Sequence, residues 1–187
     1  MPDNLFLCGL SGSGKSTVAP LIARRRGCEA LDTDALIIAE AGMPIHEIFA
    51  REGEPGFRER EARAVGAACE RQSAVIALGG GALERDDSFE RVLASGTLVF
   101  LDAPDDVLRA RIERQGSEIR PLLADPAAIA RMRARRTERF RKAAITIDTS
   151  TLTPEEISDA IVASAAQHSV ILSVASEASV VEGPRSS

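Results

Sequence analysis

The sequence lacks the features that mark membrane-spanning, nucleic-acid-binding or exported proteins. No segment approaches the roughly 20 consecutive apolar residues that cross a bilayer, and the chain does not begin with the charged start and long apolar stretch of a signal peptide. The 187 residues carry 23 Lys and Arg against 28 Asp and Glu, so no basic excess favours DNA or RNA as the main partner. The three cysteines form no C-x-x-C pair, which is typical of reduced thiols. We therefore expect a cytoplasmic protein that binds neither membranes nor nucleic acid.

Internal repeats, long linkers and histidine pairs are absent as well. The length suits one domain with a full core, which we expect to comprise residues 1–168. His46 and His168 do not form a catalytic or metal-binding pair. Residues 169–187 are rich in Ser and Val and predict a flexible tail, although residues 170–174 could also add a strand. A monomer is the default expectation.

A glycine-rich segment, residues 9–17, follows the first apolar run of the chain. It reads GLSGSGKST and fits the pattern G-x-x-x-x-G-K-[ST] of a phosphate-binding P-loop, between a predicted strand and a predicted helix. Backbone N–H groups of such a loop turn toward phosphate oxygens, and the helix beginning near Lys15 adds its positive N-terminal end. We expect Lys15 to reach the terminal phosphates and Ser16 to bind Mg²⁺. The predicted ATP-binding residues of the P-loop are Ser11, Gly12, Ser13, Gly14, Lys15, Ser16 and Thr17.

Five short apolar runs alternate with stretches of helical periodicity. The runs lie at residues 5–8, 29–31, 74–78, 97–101 and 144–147. Because each pair of parallel strands needs a crossover helix, this alternation predicts an α/β fold whose buried parallel sheet is covered on both faces. Ligands of such sheets bind at the carboxyl ends of the strands. Three of the runs are followed at that edge by polar or glycine-rich segments, which are the P-loop, residues 32–34 and residues 79–81.

Two aspartates, Asp32 and Asp34, follow the second predicted strand. Residues two apart on an extended segment point the same way, so both carboxylates could face the phosphate site. We assign Asp32 to the shell of Mg²⁺, through a water molecule, and Asp34 to the acceptor hydroxyl as candidate base. The alternative is a simple helix cap, with Thr33 or Asp34 starting a helix over residues 35–41. The P-loop upstream favours the catalytic interpretation.

A candidate acceptor site is predicted from a helix and a glycine turn. From about Pro55 the pattern becomes helical, and Phe57, Arg58 and Glu61 share one side of the helix. The guanidinium of Arg58 suits a substrate carboxylate, with Glu61 holding it in place, whereas surface ion pairs are the alternative. Three consecutive glycines, residues 79–81, allow a ligand to touch backbone at the end of a strand.

Two further basic segments have candidate roles. Arg120 lies in a polar segment, about residues 112–125, that reads as a mobile lid. Closure of such a lid would neutralise charge on the transferring phosphoryl group and exclude water. Residues 131–140 form a strongly basic helix, in which most arginines should be solvated or paired and one could point at a second anionic group of the substrate.

Taken together, these motifs resemble those of the shikimate kinase family over about residues 4–161. The shared elements are the P-loop, D-[ST]-D at 32–34, I-x-x-I-F…G-E…F-R-x-x-E at 45–61, the triple glycine at 79–81 and R-P-L-L at 120–123. The resemblance implies a three-layer α/β/α sandwich of the P-loop nucleoside-triphosphate hydrolase type. Its five-stranded parallel sheet would have the order 2-3-1-4-5, with a mobile lid. The implied reaction transfers the γ-phosphate of ATP, with Mg²⁺, to the 3-hydroxyl of shikimate.

The resemblance also implies roles for individual residues. Lys15, Asp34 and Arg120 would be catalytic, and Arg111 would stack on adenine. Arg58 and Arg136 would grip the substrate carboxylate, and residues 33–61 would form the substrate-binding segment. The residues contacting the acceptor would be Asp34, Phe49, Phe57, Arg58, Glu61, Gly79, Gly80, Gly81 and Arg136.

Some of these assignments have alternatives. The family's R-x-P-x-Y-like element reads RTERF at residues 136–140, so a one-residue change in helix phase would exchange Arg136 for Arg135. A one-residue insertion or deletion likewise makes Arg114 a competitor of Arg111. For the function, the alternatives are a gluconate-kinase-like or other small-metabolite kinase of the same fold, and a non-catalytic nucleotide-binding regulatory protein.

Overall fold

A computed structural model describes residues 3–114 and 128–181, with the backbone alone for residues 128 and 169–181. Within this part of the chain, each of the five strands is followed by one or two helices. The strands are β1 (Asn4–Cys8), β2 (Glu29–Asp32), β3 (Ala74–Ala77), β4 (Gly96–Asp102) and β5 (Ile145–Asp148). The helices are α1 (Lys15–Arg26), α2 (Thr33–Ala41), α3 (Ile45–Cys69), α4 (Asp86–Ser95), α5 (Asp105–Arg114), α6 (Ala128–Phe140) and α7 (Pro154–Val181).

The five strands form one parallel sheet in the order β2-β3-β1-β4-β5. This order confirms the predicted fold. Strand β1 lies at the centre, so the P-loop that follows it opens at the middle of the sheet's carboxyl edge. The segments after β2 and β3 reach the same edge, because parallel strands end on the same side.

Side chains alternate along β1 and build two hydrophobic cores, one on each face of the sheet. Leu5 and Leu7 belong to the core shared with α1 and α7. Phe6 and Cys8 belong to the core on the opposite face, which α3 and α4 cover. A third, smaller cluster joins α2 to α3 and includes Phe57. The substrate-binding segment predicted at 33–61 therefore packs mainly on itself, beside the sheet.

Three details of the secondary structure differ from the predictions. Strand β2 is half-exposed instead of buried, because it lies at the edge of the sheet and has a neighbour on one side only. Helix α2 begins at Thr33 instead of residue 35, since Asp32 caps it. Helix α3 begins at Ile45 instead of near Pro55, and it is kinked at Gly53, whose φ is 70°.

Helix α7 continues to Val181, so residues 169–181 of the predicted tail are helical and do not add a strand. The physical reason is the absence of a helix breaker, because no glycine or proline occurs between Pro154 and Gly183. Residues 182–187 of the predicted tail and most of the predicted lid, including Arg120, lie outside the described residues. Within the described ranges, no helix combines the length and hydropathy that crossing a membrane requires.

Candidate active site

Lys15 begins α1 and lies against the P-loop. Its ammonium group donates hydrogen bonds to the carbonyl oxygens of Gly9 at 2.8 Å and Leu10 at 3.0 Å. The residue before it, Gly14, has φ 97°, which glycine adopts without a steric penalty. The loop therefore combines a positive side chain with a helix N-terminus, two features that bind phosphate. The other predicted P-loop residues lie in the loop or in the first turn of α1: Ser11, Gly12, Ser13, Ser16 and Thr17.

Ser16 and Asp32 meet in front of the P-loop. The hydroxyl of Ser16 donates a hydrogen bond of 2.6 Å to Oδ2 of Asp32. The other oxygen, Oδ1, accepts from the amides of Asp34 at 2.9 Å and Ala35 at 3.4 Å, so Asp32 also caps α2. The capping alternative and the proximity to the P-loop are therefore compatible, since they use different oxygens.

These two side chains suit Mg²⁺ in a nucleotide site. That ion is held through one or two protein oxygens, with phosphate oxygens and waters completing its shell. A hydroxyl and a carboxylate within hydrogen-bond distance of each other supply such oxygens. Among the described residues there is no group of three or more His, Cys, Asp and Glu that could hold a metal without phosphates.

The glycine turn, residues 79–81, lies directly against Asp34 and Glu61. A Cβ built on Gly79 would stand 2.5 Å from Oδ1 of Asp34 and 3.2 Å from Oε1 of Glu61. The amide of Gly79 donates a hydrogen bond of 2.7 Å to the hydroxyl of Thr33, which is buried. A side chain at Gly79 would displace both carboxylates, so the glycine is required by this close approach.

Gly80 and Gly81 lie close to two arginines and to the P-loop. A Cβ on Gly81 would collide with the guanidinium of Arg58. A Cβ on Gly80 would stand 3.3 Å from Nη1 of Arg136 and 4.0 Å from Oγ of Ser11. Residues from α2, α3, α6 and the P-loop thus converge on one turn.

Arg58 and Glu61 form a close ion pair within α3. Nη1 of Arg58 donates to Oε2 of Glu61 at 2.6 Å, and Nη2 donates to Oε1 of Glu54 at 3.1 Å. Burial raises the pKa of Glu61, against the opposing effect of Arg58, and the charge of Asp34 raises it further. Burial by itself would lower the pKa of Arg58, but Glu61 and Glu54 outweigh it and the pKa is raised. Arg58 is therefore a fixed positive charge, held by two carboxylates.

Two phenylalanines form an apolar wall beside this pair. The rings of Phe49 and Phe57 stack with their centroids 4.5 Å apart. The guanidinium of Arg58 lies 5.5 Å from the centroid of the Phe57 ring, within the range of a cation–π contact. The predicted acceptor-binding residues of α3 thus contact one another, and the kink at Gly53 separates only Phe49 from the others along the helix.

The two neighbouring arginines of α6 differ in their surroundings. The side chain of Arg136 is 12% exposed, and Nη2 and Nε lie 2.7 Å from Oε1 of Glu84. The side chain of Arg135 is 67% exposed and donates to Oε2 of Glu84 at 2.8 Å. Arg136 therefore faces the glycine turn while Arg135 faces solvent, which favours Arg136 between the two sequence alternatives.

Arg111 joins the P-loop to the segment after β5. Its Nη1 donates to Oγ1 of Thr149 at 3.0 Å and to the carbonyl of Gly12 at 3.4 Å. Arg114 instead donates from Nε to the carbonyl of Ala110 at 3.1 Å, on the exposed side of α5. Both arginines border a groove of about 460 Å³ whose lining residues are Asp106, Val107, Ala110, Arg111, Arg114, Ser150, Thr151, Leu152 and Thr153. The contact with Gly12 favours Arg111 as the residue nearer to a bound nucleotide.

Sequence reasoning missed the contribution of two residues, Thr33 and Glu84. Thr33 had a signal, because it stands between the two aspartates of the D-[ST]-D element. Glu84 had no comparable signal, since it occurs in an ordinary acidic stretch three residues after the turn. Its partners, Arg135 and Arg136, are more than fifty residues away along the chain.

Comparisons with known proteins show which proteins this chain resembles. The family model described as shikimate kinase matches residues 11–166. A curated shikimate kinase of Symbiobacterium thermophilum is 45% identical over 131 residues, which are 70% of this chain and 75% of that protein. The solved structure of shikimate kinase from Acinetobacter baumannii in complex with shikimate has a TM-score of 0.82 at 31% identity, covering 92% of this chain and 94% of that one. A gluconokinase from Sinorhizobium meliloti 1021 has a TM-score of 0.65 at 20% identity, covering 94% and 98%, and thus shares the fold alone.

Proposed function

The chain belongs to the shikimate kinase family, and on that premise we propose that it transfers the γ-phosphoryl group of ATP to the 3-hydroxyl of shikimate. The products are shikimate 3-phosphate and ADP. The observation that carries the proposal is the convergence on the glycine turn, where Asp34, Arg58 and Arg136 surround a site next to Ser11 of the P-loop. A nucleotide switch has no need of such an acceptor site, whereas a small-acid kinase requires one.

The P-loop holds the phosphates in this proposal. Lys15 leaves its loop carbonyls and binds the terminal phosphates, where its charge offsets the charge of the transferred group. The amides of the loop and of the first turn of α1 bind the remaining oxygens. Arg120 acts from the lid in the same way, as the resemblance implies, although it lies outside the described residues.

Asp34 is the candidate base for the acceptor. Its carboxylate lies against Gly79, where an acceptor hydroxyl bound on the glycine turn can donate a hydrogen bond to it. As that oxygen bonds to the γ-phosphorus, its proton passes to Asp34 and the bond between γ-phosphorus and ADP breaks. Arg58 and Arg136 bind the carboxylate of the acceptor and keep the hydroxyl aligned. Phe49, Phe57, Glu61 and the turn complete the acceptor pocket.

Ser16 and Asp32 would hold Mg²⁺ through their oxygens. The ion, when bound, would neutralise charge on the phosphates. In the chain itself, Asp32 orients the hydroxyl of Ser16 and caps α2, and the cap fixes the position of the amide of Asp34. Ser16 and Asp32 thus connect the nucleotide-binding side of the site to Asp34, the candidate base.

Arg111 would contact the adenine in the groove between α5 and the segment after β5. Its hydrogen bonds to Thr149 and Gly12 keep the guanidinium between this groove and the P-loop. A planar guanidinium stacks well on an aromatic ring system, which supports this role.

We also propose that the protein is monomeric and cytoplasmic. Size-exclusion chromatography with light scattering tests whether it is a monomer.

A coupled assay of ADP release tests the function. The protein is incubated with ATP and Mg²⁺ and with shikimate, gluconate or no acceptor. We expect turnover with shikimate alone, because the two arginines suit a carboxylic acid and the chain belongs to the shikimate kinase family. Turnover only with gluconate would instead establish the gluconate-kinase-like alternative. ATP binding without acceptor-dependent turnover would establish a regulatory nucleotide-binding protein.

A further inference from the structure

We propose that Glu84 is a positioning residue, which holds the guanidinium of Arg136 against the glycine turn and thereby contributes to binding of the acceptor's carboxylate. The inference rests on the proposed function, since it assigns Arg136 to that carboxylate. Neither the P-loop nor the motifs that resemble the family include Glu84. Its role follows from contacts between α6 and the segment after β3.

The hydrogen bonds of Arg136 determine which side of its guanidinium faces the pocket. Nε and Nη2 both lie 2.7 Å from one oxygen of Glu84, Oε1. The remaining nitrogen, Nη1, is the one that lies 3.3 Å from a Cβ built on Gly80. Glu84 therefore binds the edge of the guanidinium that Nε and Nη2 form, while Nη1 is directed at the glycine turn.

Glu84 is itself attached to the turn. Its amide donates a hydrogen bond of 2.8 Å to the carbonyl of Gly81. The two residues between them, Ala82 and Leu83, are buried, and Arg139 donates to the carbonyl of Leu83 at 2.6 Å. The carboxylate therefore keeps its place relative to the glycines that would contact the acceptor.

The same arrangement occurs at the other arginine of the pocket. Arg58 is held by Glu61 from within α3, and its guanidinium also lies against the glycine turn. Each arginine thus has a carboxylate that fixes its direction, Glu61 for Arg58 and Glu84 for Arg136. A long, flexible side chain fixed in advance loses less conformational freedom when it binds a ligand.

Glu84 remains charged while it does this. Burial would raise the pKa of Glu84, but the hydrogen bond and charge of Arg136 outweigh burial and lower it, with Arg58 contributing in the same direction.

An alternative role for Glu84 is competition, in which its carboxylate occupies the guanidinium of Arg136 and the acceptor's carboxylate must displace it. The two roles predict opposite changes in acceptor affinity when Glu84 is removed.

The test compares Glu84→Leu, Glu84→Gln and the parent protein by steady-state kinetics with ATP and shikimate. We expect Glu84→Leu to raise KM for shikimate by roughly tenfold, with KM for ATP unchanged and kcat within about threefold. Glu84→Gln keeps an oxygen that can accept from Arg136, so its KM should lie between the other two. Asp159→Leu is the control, because it removes an exposed carboxylate partner of Arg25 on α7, outside the pocket, and should change neither KM.

Three results would overturn the inference. An unchanged KM for shikimate in Glu84→Leu would exclude a positioning role, and a lower KM would establish competition. A parallel rise of both KM values together with a lower unfolding midpoint would indicate a general structural role. Glu84→Gln, which conserves shape, supplies the comparison if the leucine variant does not fold.

Turnover of shikimate by the parent protein tests the proposed function independently of the role of Glu84. If the parent turns over no shikimate, the substrate assignment is wrong, and crystal structures of the parent and Glu84→Leu then decide the positioning. A guanidinium of Arg136 that has left the glycine turn in the variant supports the inference. An unmoved guanidinium overturns it, whatever the acceptor is.

Discussion

The amide of Gly79 donates a hydrogen bond of 2.7 Å to the hydroxyl of Thr33, and both groups are buried. This bond ties the end of β3 to the first residue of α2. Asp34 is the next residue along that helix, and its carboxylate lies against Gly79. A single buried hydroxyl therefore fixes the distance between the candidate base and the turn that would hold its substrate.

Thr33→Val should lower both stability and turnover. The valine cannot accept from the amide of Gly79, and a buried donor left unpaired costs about 1–3 kcal/mol in the free energy of unfolding. Thr33→Ser keeps the hydroxyl and should retain kcat, although it loses a buried methyl group. Urea denaturation and the coupled assay measure the two effects. Equal kcat values for the two variants would show that the bond does not position Asp34.

Asp34→Asn should abolish transfer while ATP still binds. The amide cannot accept the proton of the acceptor hydroxyl, so we expect kcat to fall by on the order of 10²- to 10⁴-fold. The phosphates are bound by other groups, and the dissociation constant for ATP, measured calorimetrically, should not change. Asp159→Asn, an exposed change on α7, is the control. Lost affinity for ATP in Asp34→Asn would show that the division of roles between Asp32 and Asp34 is wrong.

Arg136→Leu and Arg135→Leu should have unequal effects. Arg136 is nearly buried beside the turn, and losing its charged hydrogen bonds to the acceptor should raise KM for shikimate by roughly 10- to 150-fold. Arg135 is 67% exposed, so its removal should change the same KM by less than about threefold. The comparison uses initial rates at saturating ATP. A larger effect at Arg135 would reverse the assignment.

Gly81→Ala should weaken acceptor binding through Arg58. The new methyl group would collide with the guanidinium of Arg58, which is flexible enough to move aside without unfolding the protein. We expect KM for shikimate to rise by about tenfold or more with little change for ATP, as also in Arg58→Leu. In the double variant the two effects should not add, because both act on the same side chain. Additive effects would mean that Gly81 contacts the acceptor independently of Arg58.

Glu61→Gln should change the dependence of stability on pH. Burial raises the pKa of Glu61, so its carboxyl stabilises the fold below the unfolded pKa and loses that contribution as the pH rises through the folded pKa. Glutamine does not titrate, and the unfolding midpoint of Glu61→Gln relative to the parent should therefore rise as the pH increases above about 4, the ordinary pKa of a glutamate. Exposed Glu155→Gln serves as the control. A relative midpoint that falls over this range would contradict the direction of the shift.

Local patterns predicted much of the site, because their information lies within short stretches of the chain. The P-loop and the D-[ST]-D element each follow one strand directly, so their place at the sheet's carboxyl edge followed once the strands were recognised. The exact ends of α2 and α3 were missed, since the cap at Asp32 and the kink at Gly53 depend on particular backbone angles.

Sequence patterns alone predicted the fold class, the phosphate-binding loop and the residue types that are needed to phosphorylate a hydroxyl of a small carboxylic acid. The packing of the helices was needed to show that Arg136 instead of Arg135 faces the glycine turn, that Thr33 hydrogen-bonds to that turn, and that Glu84 pairs with Arg136. The reason is physical: a motif records neighbours along the chain, whereas the direction of α6 and the partners of its arginines depend on how the helix packs against a segment more than fifty residues away.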